Sequence, residues 1–308
     1  MHHRHHRLDA RVALAFAAIY VLWGGTFLAI RLAVLVLPPL FASGVRFLIA
    51  GATLYVFMRA RGHVSPTPRE WRSIALTSLC LFVATYAALF WAEQYVPSGV
   101  ASVIEATLPI TAMVFEVFVF RQQPFRPRIG AALLLGFLGV GWLLLRNQHA
   151  FPVFPCLIIL ASGMAWSLGA VLTRAMKRPC SLPLTAGAQM MLGGMILLAL
   201  SKATGELHTL PRITPQAAVA LLYLIVAGSL LGFTAYVWLL ARMPVTRVAS
   251  HAYVNPLIAL GLGYFVARES LTPSMLLASA LVIASVVLIL RSPADRERGT
   301  ELTLNPSD

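Results

Sequence analysis

One carboxylate of this chain stands where it could bind a proton inside a membrane. Of the 11 Asp and Glu residues, most fall in tails, in gaps or at the ends of apolar runs, whereas Glu105 lies eight residues inside the run that begins at Pro97. A charged side chain at mid-membrane costs at least about 2.5 to 3.5 kcal/mol on insertion scales. Glu105 is therefore expected either to pair with a cation or to carry a proton.

Arg46 is the candidate cation for such a pair. It also lies eight residues into an apolar run, counted from Pro38, on a helix predicted to run in the same direction as that of Glu105. At about 1.5 Å per residue, both side chains lie about 12 Å deep. Two interpretations stay open: a charge pair of Arg46 and Glu105 that fixes the second helix to the fourth, or a proton-coupling role for Glu105.

Other polar residues share a helix face with Glu105. The stripe of Ser98, Ser102, Glu105, Pro109 and Glu116 has spacings of 4, 3, 4 and 7 residues, which place its members on one side of a helix. Lipid disfavours a face with two carboxylates, so we expect the stripe to line a cavity as part of the substrate pathway.

The later part of the chain supplies a second polar group. His251 and Asn255 are four residues apart and share a helix face, and Gln189 is predicted at a similar depth. Because histidine changes its charge near neutral pH, His251 is the second proton-coupling candidate. The alternative is a core histidine whose hydrogen bonds are satisfied.

Aromatic residues are expected to add apolar walls to the substrate pathway. Trp91 lies near the end of its run and also fits an anchor at the membrane interface. Besides the polar groups above, the predicted pathway residues are Trp23, Thr26, Tyr86, Trp91, Trp166, Tyr236 and Trp238.

The elements that carry these residues are predicted to be membrane-spanning helices. The 308 residues are 59% hydrophobic and 11% charged, with a mean hydropathy of +0.80, whereas soluble domains carry about 25% charged residues. We therefore predict an all-α integral membrane protein, with the lipid bilayer as its surroundings. Its ten transmembrane helices are expected at residues 12–32, 38–58, 71–92, 97–119, 127–146, 153–173, 182–202, 214–240, 244–267 and 273–290.

Basic residues predict how these helices are oriented. Of the 24 Lys and Arg residues, eighteen fall on the side of the N-terminus and five on the opposite side, with Arg46 inside a span. Cytoplasmic loops carry the excess of basic residues. Both termini are therefore predicted to be cytoplasmic, and the net charge of +13 needs no nucleic-acid partner.

The second half of the chain repeats the first. Because each copy has an odd number of helices, the second copy enters the membrane in the opposite orientation to the first. The sequence therefore predicts two inverted five-helix repeats, 12–147 and 152–291, between cytoplasmic tails 1–11 and 292–308. The matching residues, at offsets of 143 or 147, are Trp23 and Trp166, Arg31 and Arg174, Arg46 and Gln189, Trp91 and Trp238, Pro97 and Pro244, and Pro109 and Pro256.

Pro109 and Pro256 are predicted hinges. Each follows an earlier proline by twelve residues and lies near mid-membrane, where a proline frees a main-chain carbonyl. A helix break there is tolerated only where it faces protein or a water-filled cavity. Two broken helices at matching positions indicate a binding site.

Six segments carry a family resemblance. They read WGGTFLAIR at 23–31, PPLFASGVRF at 38–47, AEQYVPSG at 92–99, TLP at 107–109, AYVNP at 252–256 and ESLT at 269–272. The chain resembles, over about residues 10–291, the EamA-type branch of the drug/metabolite transporter superfamily and its YedA-like bacterial inner-membrane permeases.

The resemblance implies a secondary transporter of the bacterial inner membrane, a monomer or weak homodimer that exports small organic metabolites, amino acids or drugs by alternating access. Proton coupling or exchange is expected, because no ATP-binding motif of the G-x-x-x-x-G-K type is present. A facilitative uniporter or a channel of the same architecture is the alternative. The chain departs from the family pattern at Glu105, His251 and Arg121-Gln122, so the resemblance implies neither a substrate nor a coupling ion.

Other functional classes lack their signatures. A membrane-embedded enzyme would need a nucleophile with a base or a metal cluster, and no HExxH, GxSxG or paired-acid arrangement is present. Cys80, Cys156 and Cys180 have no metal or disulfide spacing. We therefore expect no enzymatic activity, no cofactor and no metal site, and we assign no function to the histidines near the N-terminus.

Overall fold

The structure, a computed structural model, describes residues 10–121, 127–146, 151–175, 181–209, 211–240, 248 and 251–290. Residues 1–9, the predicted C-terminal tail, Gln122, Cys180 and Pro244 lie outside these residues, whose regular structure is helical with no strand. The first helix starts at Ala10 and so includes the last two residues of the predicted N-terminal tail. The long helices are α1 (Ala10–Val34), α2 (Pro39–Ala60), α3 (Pro68–Ala92), α4 (Ser98–Val119), α5 (Pro127–Arg146), α6 (Val153–Ala175), α7 (Leu182–Ala203), α8 (Pro215–Leu240), α9 (His251–Ala267) and α10 (Pro273–Leu290).

Seven of these helices are long and apolar enough to cross a membrane, namely α1 to α4 and α6 to α8. Their apolar stretches contain at least 21 residues, with a mean hydropathy of 1.6 or more. The shorter apolar stretches in α5, α9 and α10 are Gly130–Arg146, Val254–Ala267 and Pro273–Ser285. The chain is therefore an all-helical, multi-pass membrane protein.

The two ends of the bundle are named by the loops they contain. The odd-loop end has the loops after α1, α3, α7 and α9, and there Arg31 donates a hydrogen bond to the main-chain carbonyl of Glu93. The even-loop end has the loop after α2, where the hydroxyls of Tyr55 and Ser65 are 3.1 Å apart. The side predicted to be cytoplasmic is the even-loop end.

Three of the described helices contain wide π-helical turns, which are frequent at functional sites. These turns are Leu79–Ala84 in α3, Phe115–Val119 in α4 and Leu224–Leu231 in α8. The first residues of α3 and α8, Pro68 and Pro215, are separated by the predicted offset of 147 residues, and the wide turns of the two helices overlap at the same offset. The two helices therefore share an irregular turn as well as a starting position.

The two predicted proline breaks differ. α4 is divided into Ser98–Glu105 and Leu108–Val114, because Thr107 makes a short-range bond from its N–H to the carbonyl of Ile104 at 3.0 Å, and its hydroxyl donates to the same carbonyl at 2.7 Å. α9 instead stays helical through Pro256, contrary to the expected break. The hinge role of both prolines stays a prediction.

Carboxylates from the second half cap two helices of the first half at the odd-loop end. Glu206 accepts hydrogen bonds from two main-chain N–H groups at the start of α2, at 2.9 and 3.3 Å. Glu269 accepts from the N–H groups of Ser98 and Gly99 at 2.9 and 3.2 Å, and from the Ser98 hydroxyl at 3.0 Å. Both carboxylates satisfy N–H groups that a helix leaves open and favour its dipole.

Helices α2 and α7 pack with their backbones in contact. A Cβ on Gly51 would overlap the main chain of Met191, and a Cβ on Gly194 would overlap the main chain of Leu48. The offset of 143 residues exchanges these two contacts, since it takes Gly51 to Gly194 and Leu48 to Met191. It likewise exchanges the contact of Gly44 with Leu198 and that of Gly187 with Tyr55.

Candidate functional site

An aromatic cluster lies where α1, α6, α8 and α9 meet. Trp23 is at its centre, with ring centroid distances of 5.0 Å to Tyr236 and to His251. Trp166 lies 6.5 Å from Trp23, edge to face. The indole N–H of Trp23 donates to the main-chain carbonyl of Gly228 at 2.9 Å, which fixes the ring against the wide turn of α8. The structure thus brings together four predicted site residues.

The aromatic cluster borders a cavity of about 110 Å³ towards the even-loop end, which we call the even cavity. Gln189, another predicted residue, also lines it, and its amide donates to the hydroxyl of Thr77 at 2.6 Å. Gln189 is therefore a fixed polar group in a mostly apolar wall, as in many small-molecule sites. The cavity is lined by Leu81, Trp166, Ala170, Thr173, Leu182, Thr185, Ala186, Gln189, Phe233, Tyr236 and Val237.

A second cavity, of about 550 Å³, opens at the odd-loop end and is called the odd cavity. Trp91 forms part of its wall and packs against Tyr95 and Phe154, with ring centroids 5.1 and 6.0 Å away. Its place in this wall supports the pathway interpretation of Trp91. The cavity is lined by Pro39, Leu40, Ala87, Ala88, Trp91, Phe154, Ile158, Thr204 and Glu206.

An aromatic barrier of Phe47, Phe82 and Tyr86 lies between the two cavities. The ring of Phe47 is 4.4 Å from Tyr86 and 5.1 Å from Phe82. Tyr86 is followed in α3 by two residues that line the odd cavity, and its ring is 6.2 Å from Trp166, which lines the even cavity. Packed rings therefore separate the cavities, and the predicted residue Tyr86 belongs to the barrier.

Arg46 is buried beside this barrier. Its Nε donates to the hydroxyl of Ser229 at 2.9 Å, and its guanidinium carbon lies 4.6 Å from the ring centroid of Phe47 and 5.1 Å from that of Tyr86. Its Nη1 has no hydrogen-bond partner among the described residues. The predicted charge pair with Glu105 is not formed, because the wide turn of α8 brings Ser229 to Arg46 instead.

Glu105 is buried against α6. Its carboxylate accepts a hydrogen bond from the hydroxyl of Ser162. A Cβ on Gly163 would lie 3.6 Å from the second carboxylate oxygen, so a small residue leaves room beside the group. Glu105 therefore has a neutral partner, which is compatible with proton binding at this site.

The rest of the predicted stripe does not line the two cavities. Ser98 and Ser102 are buried, and each is hydrogen-bonded within the protein, Ser98 to Glu269 and Ser102 to the carbonyl of Gly99 at 2.7 Å. Neither serine is part of the walls of the even or the odd cavity, and the pathway role of the stripe stays a prediction.

Two other predicted pathway residues have local roles in the structure. The hydroxyl of Thr26 donates to the main-chain carbonyl of Trp23 at 2.6 Å, so this side chain is bonded within its own helix, α1. Trp238 packs against a separate small core around Ile19, Leu239 and Val248. Neither residue borders the even or the odd cavity.

His251 and Asn255 are neighbours, as their spacing predicts. The amide of Asn255 lies 3.3 Å from Nδ1 of His251. With the amide oriented to suit its partners, its nitrogen donates to the main-chain carbonyls of Tyr20 and His251, each at 3.2 Å. The pair thus links α9 to α1, next to the aromatic cluster.

Sequence reasoning missed Glu93 as a site residue, because it placed Glu93 near a helix end. The side chain is fully buried, and neither carboxylate oxygen has a hydrogen-bond partner among the described residues. Phe47, Phe82 and Phe233 were missed as well, since an apolar helix gives no signal for which phenylalanine faces the pathway. The sequence feature that could have identified Glu93 is its position two residues after Trp91, in an otherwise uncharged run.

Comparison with known proteins identifies the family. The profile of the EamA-like transporter family matches this chain twice, over residues 11–145 and 153–291. The chain is also similar to a solved crystal structure with a TM-score of 0.65 and 20% identity, covering 94% of this chain and 99% of that one. That likeness concerns the fold alone.

Curated relatives span nearly the same length. The chain is 33% identical over 278 residues to the uncharacterized inner membrane transporter YedA of Escherichia coli K12, covering 89% of each protein. It is 26% identical to the uncharacterized transporter YvbV of Bacillus subtilis, covering 91% of each, and 26% identical to protein PagO of Salmonella typhimurium, covering 88% of this chain and 90% of PagO. The chain is therefore a membrane transporter that belongs to the EamA-like transporter family of the drug/metabolite transporter superfamily.

Proposed function

We propose that this protein is a secondary transporter of the bacterial inner membrane that moves small organic molecules by alternating access. The observation that carries the proposal is the pair of cavities, one towards each end of the bundle, separated by the packed rings of Phe47, Phe82 and Tyr86. A transporter of this type opens one cavity at a time. The name of the relative YedA supports the inner membrane as the location.

The proposed architecture is ten membrane spans in two inverted five-helix repeats. The family profile matches each half separately, and the offset of 143 residues exchanges the contacts between α2 and α7. In transporters with inverted repeats, one half rocks against the other around a site at their interface. The contact of α2 with α7 would then be one surface on which the halves move.

The cavity walls favour a small amphipathic substrate. The even cavity is mostly apolar and aromatic, with Gln189, Thr173 and Thr185 as its polar lining residues apart from the tyrosine hydroxyl. Such walls suit amino acids, amphipathic amines or drugs, in which an apolar body accompanies one or two polar groups. Export is the direction that the family resemblance favours.

Glu105 is the proposed proton carrier. It is buried, and its hydrogen-bond partner is the neutral hydroxyl of Ser162, so a proton can be gained without breaking an ion pair. A proton moving down a potential of 100 mV releases about 2.3 kcal/mol, enough for a substrate gradient of roughly fifty-fold. His251 is the second candidate for the same role.

Transport into inside-out membrane vesicles tests the proposed function. The vesicles are offered radiolabelled amino acids and cationic drugs, with and without an imposed proton gradient, and vesicles without the protein serve as the control. We expect at least one compound to accumulate faster when the vesicle interior is acidic. Equal uptake of the whole panel with and without the protein would contradict the proposal.

The variant Glu105→Gln tests proton coupling at one residue. It keeps the shape of the side chain and removes its titration, so we expect exchange between two substrate-filled compartments to continue while accumulation driven by a pH gradient is lost. Glu70→Gln is the matched control, because glutamine also completes the capping box that Glu70 forms with Thr67 in the first turn of α3. Accumulation by Glu105→Gln at the rate of the control would show that the proton binds elsewhere.

A further inference from the structure

The guanidinium of Arg46 contains an unsatisfied donor. Ser229 accepts from its Nε, whereas Nη1 has no hydrogen-bond partner among the described residues, although the side chain is only 3% exposed. A buried charged donor without an acceptor is costly. An acceptor that arrives during transport would satisfy it.

No carboxylate among the described residues supplies this acceptor. Glu105 is hydrogen-bonded to Ser162. Both oxygens of Glu93 are themselves without a hydrogen-bond partner. No hydrogen bond therefore joins the guanidinium of Arg46 to this carboxylate in the described structure, and Nη1 of Arg46 lacks an acceptor there.

The surroundings of Arg46 are built for an organic group. The aromatic rings of Phe47 and Tyr86 lie 4.6 and 5.1 Å from the guanidinium carbon, and Tyr86 continues to the aromatic cluster through Trp166. The guanidinium packs closely on the backbone of Gly228, since a Cβ there would lie only 3.1 Å from Nη2. Arg46 thus contacts two rings of the barrier between the cavities, although it lines neither cavity.

We propose that Arg46 binds the carboxylate of the transported substrate, whose aromatic or apolar body lies against Tyr86 and the aromatic cluster. The planar guanidinium fork matches a carboxylate with two parallel hydrogen bonds. This inference rests on the proposed transport function and names its substrate class, apolar carboxylic acids including amino acids. Gln189, which matches Arg46 in the second repeat, is uncharged and already donates to Thr77. Of this matched pair, only Arg46 therefore offers a charged group to the carboxylate.

Binding of three compounds with the same indole body tests the proposal. Indole-3-acetate carries a carboxylate, indole-3-acetamide a neutral amide and tryptamine an amine. The full chain is purified in detergent, and its unfolding midpoint is followed by light scattering as each compound is titrated, because a bound ligand raises that midpoint. We expect indole-3-acetate to raise the midpoint and the other two compounds to act at least tenfold more weakly.

Substitutions at Arg46 assign the binding to this residue. Arg46→Gln should weaken indole-3-acetate binding about ten- to a hundredfold, the range for a hydrogen bond to a charged group, and Arg46→Lys, which keeps the charge but not the fork, should give an intermediate loss. Arg146→Gln is the matched control, since Arg146 stacks on Trp142 in α5, 4.8 Å from its ring centroid, away from the site. If Arg46→Gln does not fold, Arg46→Lys decides.

Three results would overturn the proposal: no response of the parent protein to indole-3-acetate, equal responses to the three compounds, or unchanged binding in the Arg46 variants. The transport assay is independent of this test. Proton-driven uptake of amines without carboxylate binding would leave the proposed function in place and remove the inference. Carboxylate binding that depends on Arg46, without transport of any compound, would support the binding site and contradict the proposed transport function.

Discussion

Two buried charged groups, Arg46 and Glu93, carry atoms without hydrogen-bond partners among the described residues. In a protein selected for stability alone, such groups would be expected to pair or to be replaced by apolar residues. A transporter can use them, because a substrate or a proton that satisfies them in one conformation stabilises that conformation over the other. We therefore expect Arg46 and Glu93 to lower the stability of the protein while contributing to transport.

Glu93→Met tests this opposition. Methionine has a similar length and no polar atom, and burial of a polar group without hydrogen bonds costs about 1 to 3 kcal/mol. We therefore expect the variant to unfold at a higher temperature than the parent protein, measured by light scattering in detergent. Glu269→Met is the matched control and should unfold at a lower temperature, because Glu269 accepts hydrogen bonds from Ser98 and Gly99. A lower midpoint for Glu93→Met would show that its carboxylate is satisfied.

For Arg46 and Glu105, the sequence predicted how deep each side chain lies but not which neighbouring helix it faces. Counting residues along each helix placed Arg46 and Glu105 inside the protein, and both are buried. It did not predict their partners, since the rise per residue gives a height in the membrane, whereas the partner depends on which helix packs against that face. Ser229 and Ser162 occupy those faces, and no spacing in the sequence connects either serine to its charged partner.

Among the helices, α2 and α7 depend on glycine for their contact. Gly51→Ala places a methyl group where the main chain of Met191 lies, and two packed backbones cannot separate at one residue without disturbing neighbouring contacts. We expect this variant to lower the unfolding midpoint and the yield of folded protein, because overpacking typically costs about 1 to 3 kcal/mol.

Gly141→Ala, in α5, is the control for that change. No atom lies within 4 Å of the position that its Cβ would occupy, and alanine favours helix over glycine by roughly 1 kcal/mol. The control should therefore match or exceed the stability of the parent protein. If both variants unfold at the same temperature, the close approach of α2 and α7 is not required for the fold.

Helix positions were more predictable than helix irregularities. Flanking prolines and basic residues predicted the bounds of α3 and α8 to within a few residues, and the first residues of the two helices, Pro68 and Pro215, are 147 residues apart. The wide turns at Leu79–Ala84 and Leu224–Leu231 were not predicted, because they arise from packing against neighbouring helices. The second of these turns holds Ser229 and Gly228 against Arg46 and Trp23, so the irregular part of the helix builds the site.

For the whole molecule, the charge distribution predicts that both termini are cytoplasmic. A reporter fused after Asp308 that fluoresces only in the cytoplasm should be bright, and a reporter active only in the periplasm should be silent, because ten spans return the chain to its starting side. The opposite pattern would contradict both the orientation and the even number of spans.

The repeat was the most informative global feature of the sequence. Matching residues such as Trp23 and Trp166 predicted two copies, and the family profile matches both halves. The cavities were not predictable in the same way, because their walls combine residues from both copies. The odd cavity joins Leu40 and Trp91 from the first copy with Phe154 from the second, and only the packed structure shows that these meet.

Accessibility from the two sides of the membrane tests alternating access most directly. After Cys80, Cys156 and Cys180 are replaced by alanine, Ala88→Cys places one thiol in the odd cavity and Ala170→Cys, in a second protein, places one in the even cavity. Each is treated with a membrane-impermeant maleimide in right-side-out and in inside-out vesicles. We predict that each thiol reacts from its own side alone, and that a transported compound changes the two labelling rates in opposite directions. Labelling of either thiol from both sides would show a continuous pore and contradict the account.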